Sequence, residues 1–165
     1  MNLGRILRHL NLSRWTVRSR FSRTTLREIE AAITVSERHH RGELRFVVEG
    51  SLPLGLLLRG VSARQRAVQL FSRLQVWDTE ENSGVLIYVQ LADRRVEILA
   101  DRGIAGRVPQ ADWDVICRGM ERAFKTGDYR SGALAAIEKA GELLIAHFPA
   151  AADNPNELSD RPLVI

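Results

Sequence analysis

Between Trp77 and Ser83 the chain reads Asp78-Thr79-Glu80-Glu81-Asn82, and Asp101 closes the second of the two short apolar runs that follow. Carboxylates and an amide oxygen are the donors that hard cations select, so Asp78, Glu80, Glu81, Asn82 and Asp101 are candidate ligands for Ca2+ or Mg2+. The bland reading is a solvated acidic loop. Between the runs, Asp93-Arg94-Arg95 sets a carboxylate beside two guanidinium groups, which suit phosphoryl oxygens. Phosphatase chemistry also needs a two-metal clamp or a nucleophile with a general acid. An Asp-Arg pair in a tight turn is more often turn chemistry and a surface ion pair, so no residue is assigned as catalytic.

Other reactive residue types carry less. Cys117 is the one cysteine, which excludes an internal disulfide, and it shares an apolar stripe with Ile116 and Met120. His39 and His40 are adjacent at a helix end, so they point to different faces and suit a capping role better than a zinc site. There is no P-loop, dinucleotide fingerprint or serine-hydrolase elbow.

The elements that must position these groups can be read from periodicity. A helix begins near Thr25, which has capping-box spacing to Glu28, and carries the stripe Leu26, Ile29, Ile33. Leu44, Phe46 and Val48 alternate in a strand, and the run from Gly50 to Gly60 is a buried connection or an exposed apolar flap. Ser62 and Gln65 cap a second helix. Val85–Gln90 is apolar at nearly every position, as a central strand covered on both faces would be. Ala92-Asp93 turns the chain into a half-exposed strand, and two helices ending at Gly127 and Pro149 follow. A strand–helix–strand crossover is right-handed and parallel. The fold class is therefore α/β, a three-layer sandwich in which a small mixed β-sheet carries helices on both faces. Residues 24–149 form the domain, residues 1–23 a basic amphipathic N-terminal arm, and residues 150–165 an irregular tail.

Charge is divided unevenly. Residues 1–27 hold seven arginines and no acid, while the rest sets 17 basic residues against all 20 acidic ones. The high pI thus belongs to the arm and does not indicate nucleic-acid binding. Leu3, Ile6, Leu7 and Leu10 share a helical face, with Arg5, Arg8, Arg14, Trp15 and Arg18 around them. Such a helix can lie on an anionic membrane, with those five residues as contacts, or can pack on its own domain.

Four segments in order resemble the TPM domain family of thylakoid-lumen acid phosphatase-like and photosystem II repair-like proteins. They are SGVLIYV containing Gly84, ADRRVEI containing Asp93 and Arg94, RGIAG containing Gly103 and Gly106, and FKTGDY containing Gly127 and Asp128. The chain departs from the family at Asn82-Ser83-Gly84, where many relatives have Asp-Asn-Gly, and at Ala105, where many have Glu. The resemblance implies an α/β domain, calcium binding and, in some members, phosphatase activity. The expectation is a binding or accessory module of a stand-alone bacterial branch. It would be cytoplasmic and reach the inner membrane through its arm, with an unidentified protein partner. The alternative is a divalent-metal-dependent phosphatase of weak or specialised activity.

Overall fold

The computed structural model describes residues 3–152 and 154–165. Its elements are α1 (Leu3–Asn11), α2 (Arg14–Arg20), α3 (Arg23–Glu37), β1 (Glu43–Glu49), α4 (Leu54–Leu58), α5 (Ala63–Arg73), β2 (Gly84–Gln90), β3 (Arg95–Ala100), α6 (Arg102–Ala105), α7 (Gln110–Lys125), α8 (Tyr129–His147) and β4 (Leu163–Val164). The sheet has the order β3-β2-β1-β4. β1 and β2 run parallel with Glu43 opposite Gly84 and Glu49 opposite Gln90, and β3 returns antiparallel to β2.

Strand alternation divides the core in two. Leu44, Phe46 and Val48 face the larger layer, where Ile29 and Ile33 of α3, Trp113 and Met120 of α7, and Ile137 and Leu144 of α8 cover the sheet. Val47, Leu86, Tyr88 and Leu99 face the other side, beneath Ala67 and Leu70 of α5. Helices thus cover both faces, and β2 is buried along its whole length.

The first long helix starts earlier than its Thr25 pattern indicates. Ser22 is the N-cap and accepts from the Thr25 N–H at 3.1 Å, and the two hydroxyls lie 3.0 Å apart. Ser caps as well as Thr and sits three residues ahead of that N–H, so it displaces Thr25 to the first turn. The Ser62–Gln65 capping box forms as read.

The tail departs from the expected irregular course. Leu163 and Val164 form β4, parallel to β1, and Gly50 N–H and Val48 O close on the backbone of Ile165. Glu43 accepts the N–H groups of Glu157 and Leu158, and Arg45 donates to the carbonyls of Ser159 and Arg161. An open β1 edge would leave its backbone groups unpaired, and the tail satisfies them. So short a strand, with a proline just before it, carries no periodicity by which to find it.

Beneath the tail, Glu37 is buried, accepts the Leu44 N–H at 2.7 Å and leaves its second oxygen unpartnered. Burial pushes its pKa up to about 9, with nearby Glu43 and Asp160 adding to the rise against the Leu44 bond. A carboxyl raised in the folded state keeps a proton that the unfolded chain releases above its ordinary value, so its stabilising effect declines from about pH 4.5 towards pH 9. Glu37→Gln keeps the acceptor without the titration. The variant is expected to gain stability over wild type as pH rises, on the order of 1–3 kcal/mol at pH 8. Denaturant melts at pH 5 and pH 8 check this, and a difference that does not change with pH would contradict it.

Candidate functional site

The two ends of the sheet carry opposite chemistry. At the amino end of β2, the Asp101 N–H bonds Gly84 O, and the Gly103 N–H bonds Asn82 O. The acidic loop and Asp101 therefore do meet, as the hairpin pattern predicts. Glycine at 84 and 103 is what allows it: a Cβ at Gly84 would lie 1.8 Å from Val76 O, and one at Gly103 2.4 Å from Glu81 O. Gly106 has an ordinary helical backbone and space for a Cβ, so nothing in the structure requires glycine there.

Two of the oxygens brought together are already engaged by arginines. Arg41 pairs with Glu81 at 2.5 Å, and Arg102 Nε donates to Asn82 Oδ1 at 2.8 Å. Asp101 caps α6 through the Arg102 N–H, leaving only its Oδ2 buried and unpartnered. Asp78 and Glu80 are exposed, and the Glu80 N–H is held by Glu157. Glu43, at the same end, is committed to the tail. Among the described residues no three His, Cys, Asp or Glu side chains are placed to hold a metal ion. The oxygens left over, on exposed Asp78 and Glu80 and at Asp101 Oδ2, are not gathered into the six or more that Ca2+ or Mg2+ takes. In this arrangement millimolar calcium is expected to leave the melting temperature within about a degree of the calcium-free value, because a ligand that binds the native state must raise it. A rise that saturates with calcium would contradict this arrangement of Arg41 and Arg102.

At the other end of β2, about 20 Å along the strand, stands Asp93, and here the arm arrives. Arg5 Nε donates to both oxygens of Asp93 at 3.0 and 3.1 Å, and its Nη2 donates to Oδ2 and to Val61 O at 2.7 Å. His9 is buried with Nε2 3.1 Å from Asp93 Oδ1, while its Nδ1 accepts the Leu52 N–H at 3.0 Å. An accepting Nδ1 means a neutral ring with its hydrogen on Nε2, facing the carboxylate. Burial alone would raise the Asp93 pKa, but Arg5 and His9 outweigh it and hold the carboxyl below its usual range.

This anchoring inverts α1. A surface helix normally turns its apolar stripe to the core. Here Arg5 and His9 face the domain, whereas Leu3, Leu7 and Leu10 are 65%, 51% and 64% exposed and Trp15 is 76% exposed. The arm does pack on its domain, by its polar side. Of the proposed membrane-contact residues, Arg8 is exposed on α1 and lies 3.9 Å from Asp93, Arg18 is exposed on α2, Arg5 is spent on Asp93, and the side chain of Arg14 lies outside the described residues. α2 differs: Val17 and Phe21 enter the core, Phe21 against Phe46, Phe124 and Tyr129. Sequence reasoning found the amphipathic stripe of α1 and missed its direction. Asp93, the acid of the hairpin turn, was the available signal.

Also at this end, Glu49 of β1 receives Arg66 of α5 through three contacts of 2.8–3.2 Å and the Tyr88 hydroxyl at 2.6 Å. All three are buried and mutually satisfied, and burial beside Glu49 pushes the Tyr88 phenol far up. This is structural chemistry beneath α5. Cys117 is buried with its thiol pushed up to about 12 by burial, which leaves it unreactive. His40 is buried against Ser36 and His39 is exposed beside Val35 O, on separate faces as their adjacency requires. Asp128 caps α8 through the Ser131 N–H, and Gly127 ends α7 at φ +85°.

The model of the TPM domain matches residues 18–143. The chain is also similar to the BA42 protein of the psychrophilic bacterium Bizionia argentinensis, whose NMR structure superposes with a TM-score of 0.76 at 30% identity, covering 86% of this chain and 93% of that one. No curated protein matches. With Gly84 and Gly103 holding the amino end of the hairpin and Gly127-Asp128 linking α7 to α8, the chain belongs to the TPM domain family.

Proposed function

We propose that the protein is an accessory binding module that docks on an anionic membrane surface, the cytoplasmic face of the inner membrane. The observation that carries this reading is the inverted helix: α1 is fixed to the domain by Arg5 and His9, and its apolar residues point away from the core. Ordering a helix in order to expose three leucines is unfavourable unless another apolar phase receives them. The loop that holds α1 adds exposed Leu54 and Leu58 of α4. Arg8 of α1 and Arg59 at the end of α4 are exposed on the same segments and suit anionic headgroups, each worth about 1 kcal/mol near such a surface. Among the described residues no helix is long and apolar enough to cross a membrane, so docking would be peripheral.

The test is co-sedimentation with vesicles of anionic and of neutral lipid. Leu7→Glu with Leu10→Glu removes two exposed side chains from the docking face and leaves the core intact. The double variant is expected to bind anionic vesicles at least about tenfold more weakly, since burying one leucine is worth about 1.5–3 kcal/mol. Binding should also fall as salt rises. Undiminished binding by the variant, or no binding by wild type, would contradict the reading.

A further inference from the structure

A cavity of about 360 Å³ opens at the carboxyl ends of the parallel strands, the place where open α/β sheets hold ligands. It is lined by Arg20, Arg94, Arg95 and Lys125, with Glu121 the sole acid among its lining residues. Glu121 is already engaged, accepting the Val96 N–H at 3.1 Å and lying 3.8 Å from Arg95. Among the described residues, Arg20, Arg94 and Lys125 have no carboxylate within ion-pair distance. So concentrated a positive charge, lacking a counter-charge of its own, attracts an anion.

Gln90 borders the cavity but is fully buried and, by strand alternation, shares the face of Leu86 and Tyr88. Its Oε1 accepts the Asp93 N–H at 2.9 Å, which fixes the turn that presents Arg94. One wall is preformed: Phe124 and Tyr129 stack at 4.9 Å, and Arg20 lies over the Tyr129 ring at 5.2 Å. A shallower cavity of about 390 Å³ shares Arg20, Leu91 and Arg94 with the first and extends to Leu7 and Arg8 of α1. The cationic pocket and the exposed apolar stripe are thereby continuous.

We propose that this cavity binds a phosphate group, and that its source is the headgroup of an anionic phospholipid held while α1 lies in the lipid surface. The lipid source rests on the membrane reading above; the phosphate chemistry does not. The phosphate oxygens would pair with Arg94 and Lys125, and Arg20 would close the side facing α1. No bond is made or broken there, and the site lies at the opposite end of β2 from the acidic loop.

Two measurements on the full chain separate the sources. Calorimetry uses inorganic phosphate and glycerol 3-phosphate, and co-sedimentation uses neutral vesicles with and without phosphatidate. The cavity variant is Arg94→Gln with Lys125→Gln, and the control is Arg73→Gln with Lys139→Gln, an equal charge change at exposed positions away from the cavity. The cavity variant is expected to bind phosphatidate vesicles at least about tenfold more weakly than wild type, with the control close to wild type. Wild-type sedimentation that both variants retain equally would overturn the cavity and leave membrane docking standing. Absent sedimentation combined with phosphate binding that only the cavity variant loses would overturn the lipid source and support a free phosphate ester. Loss of equal size in both variants, or no binding in any arm, would overturn the site.

Discussion

A half-buried carboxylate in a tight turn cannot stay charged without a partner, and Asp93 finds its partners 84 and 88 residues away, in His9 and Arg5. This contact determines the orientation of α1. Because Arg5 and His9 lie on the face opposite Leu3, Leu7 and Leu10, satisfying Asp93 turns the leucines outward. The Arg5 guanidinium is bidentate and also reaches Val61 O, so one side chain ties the arm to both the hairpin and the loop after α4. Removing Arg5 would take the bidentate partner from the Asp93 carboxylate, which is the costly outcome for such pairs. The functional surface therefore depends on a polar contact, and the apolar stripe is a consequence of it.

The sheet separates two charge environments that a phosphoryl-transfer enzyme would bring together. At the amino end, Arg41 pairs with Glu81, Arg102 bonds the Asn82 amide, and the tail takes Glu43. At the carboxyl end, Glu49 is consumed by Arg66 and Tyr88 beneath α5, and Asp93 by the arm. Arg20, Arg94 and Lys125 line the cavity at that end without an ion pair among the described residues. The candidate metal-ligating acids and the cavity cations therefore lie at opposite ends of β2, about 20 Å apart along the strand.

Much of this was legible in the sequence. Alternation in Leu44–Val48, the unbroken apolar run of β2 and the tight turn at Asp93 are local patterns with one economical arrangement, and the parallel crossover follows from chain connectivity. The Ser62–Gln65 cap is local too. What could not be read is what depends on distant partners. Strand β4 is held by Val48 and Gly50, over a hundred residues away, and carries no period of its own. Ser22 caps the helix three residues before the Thr25 N–H, which the Thr25–Glu28 spacing alone does not disclose. The acidic loop and Asp101 do converge, but Arg41 and Arg102, which change what that convergence can do, are indistinguishable in sequence from surface arginines. For α1 the stripe was visible and its direction was not, because direction was set by the single carboxylate at position 93.

Hydrogen–deuterium exchange across residues 3–11, in the wild-type chain and in Asp93→Ala, measures that dependence directly. An α1 held by Asp93 exchanges slowly in wild type and loses most of its protection in the variant, while β1 and β2 remain protected in both, since local opening is governed by local contacts. Equal exchange across α1 in the two proteins would contradict it, whether fast in both, meaning that the arm is not held, or slow in both, meaning that something other than Asp93 holds it.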